Sequence, residues 1–521
     1  MTDADPARPN GRAVAGQGDT PVAGIGFQLR RLARQDTISA IVAAAGHAAM
    51  VAAGPWLFTI ATLAGITIAT DRIVGLDVLA TFRALVIYAF AISLVFSAPV
   101  TIVATRLVGD ALWLRQPGRI LGLLLGGLWI VQVPTLIGVA LVVRVFDVPA
   151  THGLTLAAMT ALASSIWIAI SFCGAVRDYR GVSLSFVVGL LIALGASVSV
   201  AILGGGVLTI AWAFAAGLTV VLFGLVSRVI ATFPHPVAGA STIADTYRQG
   251  FRRYWTICIG ALLGTAGVWV DKVVFWFSEV GEAVDNGLRH APVYDSTMFI
   301  ASLVLVPALA SFVVKLETGF FERYQRYFAT IATHGTLGQI ETARQRLASY
   351  TMDSLTLITI TLSGLAAILL LTAPIIVDAV GLRFRQIAIL RYGGLGTVFQ
   401  FIFIAASSML LFFDRRRLYV LTQAIYFATN LVFAVLSLGL GEDYYGVGFF
   451  AAAFISAAAA FVAADRTFER LNFLTFIGNN PSVQGASAGR RGRFARVLST
   501  FAAPLRVALT RRPPPREPPH V

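Results

Sequence analysis

The polar residues of this chain are gathered between long apolar runs, and the runs set the order of everything else. Their approximate bounds are 40–69, 84–105, 120–143, 155–175, 182–202, 207–230, 255–278, 295–316, 354–377, 392–413, 418–440 and 445–464. About 20 helical residues cover the roughly 30 Å hydrocarbon core of a bilayer, so each run is long enough to cross it once. The joints Arg177–Arg180 and Asp414–Arg417 are short, so the runs beside them must turn back tightly. The pattern predicts an all-α polytopic membrane protein with twelve transmembrane helices.

The seventh run, Trp255–Ser278, carries two ionisable residues well inside it, Asp271 and Lys272. A charge at the bilayer centre costs at least ~2.5–3.5 kcal/mol, so such residues face a bundle interior or a water-filled cavity. Neighbours on a helix point about 100° apart, so the two are not expected to pair, and each needs its own partner. Two readings stay open. In one, they line a path and bind hydroxyl or amide groups, or couple to a proton or cation. In the other, they sit near the outer interface, where Lys272 snorkels and Asp271 finds a hydroxyl.

The other polar groups inside runs are His47, Gln132, Gln400, Gln423 and Asn430. Each is either an interhelical hydrogen bond or part of the path. The path candidates are Asp271, Lys272, Gln132, Gln400 and Asn430. No arginine falls in the middle of a run, so there is no cluster to clamp a lipid diphosphate. Pro55, Pro99, Pro134, Pro307 and Pro374 interrupt runs. Each removes an i→i−4 bond, although membrane helices also tolerate proline without hinging. Gly54, Pro55 and Trp56 form the hinge candidate.

Composition agrees with the pattern, since 57% of residues are hydrophobic and 13% are charged, against about 25% charged in a soluble domain. The net charge of +14 suggests a polyanion partner only until the charges are placed. With both termini cytoplasmic, 32 of the 40 Lys and Arg fall in cytoplasmic segments and seven in external loops. That is the positive-inside asymmetry, and no nucleic acid is needed to explain it. The loop Asp378–Arg391 departs from it, carrying Arg383, Arg385 and Arg391 outside. No short apolar core with a cleavage site opens the chain, so the first run is expected to serve as its own membrane signal.

Six runs, a basic link and six more predict two six-helix bundles with a path between them near the midplane. The expected division is a disordered extension at 1–22, a first bundle at 23–231, a link at 232–253, a second bundle at 254–472 and a basic, Pro-rich disordered tail at 473–521. Gly26–Gln35 is a basic helix candidate whose Arg30, Arg31 and Arg34 would meet anionic head groups.

Within the second bundle, the cytoplasmic loop Glu317–Asp353 spaces Phe320, Tyr324, Tyr327, Phe328 and Ile331 helically. Phe320, Tyr324, Tyr327 and Phe328 are the candidates for docking a cytosolic partner; the alternative is a helix resting on lipid. His334-Gly335 ends that helix, and Thr336 with Gln339 predicts a capping box for the next, which repeats Leu337, Ile340 and Leu347.

Catalytic chemistry is missing. The only lysines, Lys272 and Lys315, follow no P-loop glycines. The histidines lack metal-ligand spacing, and Asp3-Ala4-Asp5 lies in the polar extension. No catalytic residue, metal or cofactor is expected, and the chain is not read as an enzyme. Cys173 and Cys258 fall toward the cytoplasmic ends of runs and are expected to stay reduced.

Three stretches carry a family resemblance. The first is Ala23-Gly24-Ile25-Gly26-Phe27-Gln28-Leu29-Arg30, followed by Ala53-Gly54-Pro55-Trp56. The second is Trp269-Val270-Asp271-Lys272-Val273-Val274-Phe275-Trp276-Phe277. The third is Pro292-Val293-Tyr294-Asp295 with Lys315-Leu316-Glu317-Thr318, and Asp414-Arg415-Arg416-Arg417 is a weaker fourth. Together, over about 23–472, they resemble the PelG family of inner-membrane Pel exopolysaccharide transporters, within the multidrug/oligosaccharidyl-lipid/polysaccharide exporter superfamily. The resemblance implies a flippase-like fold and export of an N-acetylgalactosamine-rich polysaccharide to the periplasm. It also implies a cytosolic glycosyltransferase (PelF-like) and membrane partners (PelD-like and PelE-like), the PelD-like one a cyclic-di-GMP receptor. The competing readings are a lipid-linked oligosaccharide flippase, a cation-coupled exporter, and a non-conducting scaffold for the synthase.

Overall fold

The computed structural model describes residues 59, 61–176 and 179–478. The polar extension, the helix candidate at 26–35, most of the run 40–69 and the tail beyond 478 lie outside the described residues. The chain divides into two compact units, Met1–Arg466 and Thr467–Val521. In the second, the described residues form short helical turns at Leu471–Phe473 and Leu474–Gly478.

The end of the first run is helical through 61–74. Then follow α1 (Leu76–Trp113), α2 (Ile120–Ile130), α3 (Gln132–Val145), α4 (Ala150–Val176), α5 (Tyr179–Ile202) and α6 (Val207–Thr232). The second half comprises α7 (Ala240–Trp276), α8 (Pro292–Leu303), α9 (Leu305–Lys315), α10 (Phe321–Ala332) and α11 (Leu337–Val380). It closes with α12 (Gln386–Phe412), α13 (Arg416–Leu440) and α14 (Tyr445–Glu469). A two-stranded hairpin, β1 (Glu282–Ala283) with β2 (Arg289–His290), joins α7 to α8.

Ten of the described helices, counting α2 and α3 as one, are long and apolar enough to cross a membrane. An eleventh is Pro292–Leu303 with Leu305–Ala332, that is α8 followed by α9 and α10, bent by 40°. These eleven correspond to the second to twelfth expected runs, and most of the first, 40–69, lies outside the described residues. Both interruptions precede a proline. Pro134 and Pro307 have no N–H for the carbonyls of Ile130 and Leu303, the last residues of α2 and α8. Pro99 and Pro374 are instead absorbed inside α1 and α11.

Burial runs opposite to that of a soluble protein. Trp129 and Leu371 are 79% and 80% exposed, whereas Asp271, Thr297 and Asn430 are 0% exposed. Lipid tails are as apolar as leucine, so outward-facing apolar side chains cost nothing there. Helix association rests instead on close packing and internal hydrogen bonds.

Candidate functional site

α7 carries the central site. Gly260, Gly264 and Gly267 lie on one stripe of it, because residues three and four apart share a helix face. A Cβ there would strike α13, meeting Tyr419, Gln423 and Tyr426 respectively. The contacts ascend together along both helices, so α7 and α13 run parallel with their backbones close. Parallel neighbours require an odd number of crossings between them. α11 and α12 supply two, so bent α8–α9 counts as a single crossing.

One turn beyond Gly267 the stripe presents Asp271, which is fully buried. Tyr294 on α8 donates its hydroxyl hydrogen to Asp271 Oδ2 at 2.8 Å. Lys272 Nζ donates to Oδ1 and Oδ2 at 3.3 and 3.2 Å, and to the Val268 carbonyl at 3.2 Å. The expectation that Asp271 and Lys272 do not pair is therefore corrected. Helix geometry fixes where a side chain leaves the backbone, not where a flexible four-carbon stem ends. The lysine folds back over its own preceding turn. Its side chain keeps 22% exposure against 1% for the aspartate, so the ammonium borders the space that the carboxylate does not reach. A buried pair recovers part of its desolvation cost, and removing one partner would strand the other charge.

The surrounding aromatic groups fix these positions. Tyr294 stacks on Phe275 with centroids 3.8 Å apart and planes 8° apart. The neighbouring Asp295 accepts from Trp276 Nε1 at 2.8 Å and from the Ala291 N–H at 3.0 Å. Trp276 stacks on Tyr88 of α1 at 4.7 Å, and Tyr88 donates to the Arg289 carbonyl at 2.8 Å. The site thus touches the first half through α1. Sequence reasoning missed Tyr294 and Asp295 as site residues. Their signal was a tyrosine and a carboxylate in the first turn of a span.

Gln400 and Asn430 belong to the same region. Asn430 Nδ2 donates to the Gly267 carbonyl at 2.8 Å, and Gln400 Nε2 to the Tyr426 hydroxyl at 3.4 Å. Tyr426 is itself buried and stacked on Phe403 at 4.6 Å. Gln132 is placed otherwise: from α3 it donates to Ser165 of α4 at 2.9 Å and to the Leu128 carbonyl at 3.0 Å. No described hydrogen bond joins it to the Asp271 group. The hinge candidates Gly54, Pro55 and Trp56, and also His47, lie outside the described residues.

A second set of contacts joins the halves at the opposite ends of α1 and α7. Asp110 of α1 accepts from the Tyr254 hydroxyl at 3.2 Å and pairs with Arg253 at 3.8 Å. Arg416, opening α13, grips Asp414 through Nε and Nη2 at 2.9 and 3.0 Å. It also donates to the Arg253 carbonyl at 2.9 Å and lies 5.1 Å from the Tyr254 ring centroid. Arg106 donates to the Leu411 carbonyl at 3.1 Å. Asp414 takes a left-handed φ of 52°, which makes the tight turn expected at Asp414–Arg417.

The helical hairpin of α10 and α11 has the expected cap. Gln339 Oε1 accepts the Thr336 N–H at 2.9 Å, and Thr336 Oγ1 accepts the Gln339 N–H at 3.3 Å. Ile340 and Leu347 are buried, but Leu337 is exposed. The aromatic stripe is only partly covered. Phe320 and Tyr327 are buried, Phe320 packs on Phe412 at 5.3 Å, and Tyr324 sits 6.0 Å from Phe413. Phe328, on the margin, packs on Tyr324 at 4.7 Å. Phe320 and Tyr327 are thus covered by the chain itself, while Tyr324 is half-buried and Phe328 is exposed.

No curated protein matches the chain. Among solved structures it is similar to a MOP superfamily transporter from Pyrococcus furiosus, at 14% identity and a TM-score of 0.60, covering 86% of this chain and 97% of that one. It is also similar to a MATE in the straight conformation, at 13% identity and a TM-score of 0.56, covering 87% and 98%. An outward-facing multidrug resistance MATE family transporter matches at 15% identity and a TM-score of 0.56, covering 82% and 96%. At these identities the likeness establishes the transporter fold. The family model of the PelG exopolysaccharide exporter (EPS-E) matches residues 22–476. A match over that much of the sequence, on a fold shared with MOP transporters, means that the chain belongs to the PelG exopolysaccharide exporter family.

Proposed function

We propose that this protein carries an N-acetylgalactosamine-rich exopolysaccharide of the Pel type across the inner membrane, from cytoplasm to periplasm, as a cytosolic glycosyltransferase extends it. Both termini are cytoplasmic, two six-helix bundles flank the path, and membrane partners of the PelD and PelE kind complete the assembly. The observation that carries this reading is the Asp271–Lys272–Tyr294 group, a charged pair on the membrane-length α7 joined by a hydroxyl from α8, where α7 meets the first half through Trp276 and Tyr88. A moving polymer needs many weak, exchangeable hydrogen bonds, because tight binding would stall it. A partly exposed ammonium whose charge is already balanced by a buried carboxylate suits that need.

The test is export by Asp271 variants at matched protein level. Asp271→Asn still accepts from Tyr294 and keeps much of the export, whereas Asp271→Leu abolishes it. Normal export by both variants would overturn the assignment.

A cation-coupled cycle is the second reading. It draws on Asp295 Oδ1 and Asn430 Oδ1, buried oxygens with no hydrogen-bond partner among the described residues. Dependence of vesicle export on a sodium or proton gradient, together with equal inactivity of Asp271→Asn and Asp271→Leu, would favour it.

A further inference from the structure

With Phe320 and Tyr327 turned inward, the α10–α11 hairpin leaves its polar side open. There the two helices enclose a groove of about 1180 Å³. Ala329, Gly338 and Ala343 lie along it, small residues that let another backbone approach closely. Arg323, Arg326 and Arg346 stand over it from both walls. Among the described lining residues Asp353 is the only carboxylate.

The arginines are available in different ways. Arg323 is held over the Tyr350 ring at 3.9 Å while its Nη1 donates to the Gly319 carbonyl at 2.9 Å, so its guanidinium is already oriented. Arg326 pairs with Glu322 of its own helix with 72% of its side chain exposed, a solvent-screened i,i+4 contact that is readily exchanged. Arg346 is exposed and has no carboxylate partner among the described residues.

Geometry narrows the occupant. α11 begins at Leu337, well before the apolar run 354–377. At 1.5 Å per residue that leading part extends about 25 Å, so the groove opens into the aqueous phase rather than onto lipid. A helix N-terminus is a ready anion site, but here Thr336 and Gln339 satisfy each other's backbone N–H groups in the capping box. That leaves only the Leu337 and Gly338 N–H groups to an anion, so the arginines rather than the helix end dominate the groove. From Arg323 to His334 the groove runs about 16 Å, the length of three helical turns.

We propose that this groove docks an acidic helical segment of a soluble cytoplasmic protein, its carboxylates meeting Arg323, Arg326 and Arg346 while its backbone lies over the small residues. This is the helix-in-groove mode with charge-guided register. The cytoplasmic location rests on the orientation proposed above.

The full chain in lipid nanodiscs tests it by fluorescence anisotropy. The probe is a labelled 18-residue Ala/Leu peptide with Glu at helical i, i+4, i+7 spacing. The wild type is expected to bind it, with affinity falling at least tenfold in the triple variant Arg323→Glu/Arg326→Glu/Arg346→Glu. Ala329→Trp, which fills the groove without changing charge, is expected to weaken binding as much, so that loss cannot be assigned to misfolding of a charge variant. Binding unaffected by either variant overturns the proposal. So does a nucleoside diphosphate that binds the wild type more tightly than the peptide and is lost in the triple variant. Labelling of a Thr333→Cys variant by an impermeant thiol reagent from the periplasmic side would instead overturn the orientation, while the peptide result still reports on the groove.

Discussion

Tyr294 of α8 bonds Asp271 of the preceding helix α7, its hydroxyl 2.8 Å from Oδ2. The contact couples α8 to the one fully buried carboxylate on α7. A hydrogen bond to a charged group contributes about 1.5–3 kcal/mol. Tyr294→Phe keeps the stack on Phe275 and removes only that bond. The variant is expected to unfold at a lower temperature in detergent and to export less, with an unchanged amount in the membrane. Wild-type melting and export would mean that Lys272 alone satisfies Asp271.

Gly264 lies where α7 presses against Gln423 of α13. Inserting a large side chain into a packed contact costs about 1–3 kcal/mol or more. Gly264→Leu is expected to lower thermal stability sharply, and Gly364→Leu, where nothing lies within 4 Å of an added Cβ, is expected to leave it unchanged. Equal effects of the two substitutions would sink the close-packing account.

Asp110 of α1 meets Tyr254 and Arg253 of α7, and Arg106 meets the Leu411 carbonyl, so these contacts hold the two halves together at one end. Removing such a half-exposed charged contact is worth up to about 1 kcal/mol, which shifts a two-state equilibrium roughly 5-fold. Spin labels at Gln116 and Arg417 are therefore expected to report a longer, broader distance distribution in Asp110→Ala, which loses both the Tyr254 and the Arg253 contact. An unchanged distribution would show that the contacts do not govern opening.

Orientation is open to a direct check. A reporter fused after Glu282 should read as periplasmic, and one after Thr336 as cytoplasmic. The reverse pair of results would invert the topology and move the hairpin groove to the periplasmic side.

The spans were legible in the residue order, because crossing a bilayer demands long apolar runs and little else. So were the turn at Asp414, the cap at Thr336 and Gln339, and the two ionisable residues of the seventh run. All of these depend on residues near one another in the chain. The remainder needed the packed molecule. Packing showed that Lys272 folds onto Asp271, since a flexible stem's endpoint depends on what surrounds it. It brought Tyr294 to the carboxylate and Asn430 to Gly267 from 23 and 163 residues away. It turned the stripe of Phe320 and Tyr327 inward. Periodicity identifies an apolar face but not its covering, and here the chain's own α11 and α12 supplied it, leaving the arginine-rich side open to water.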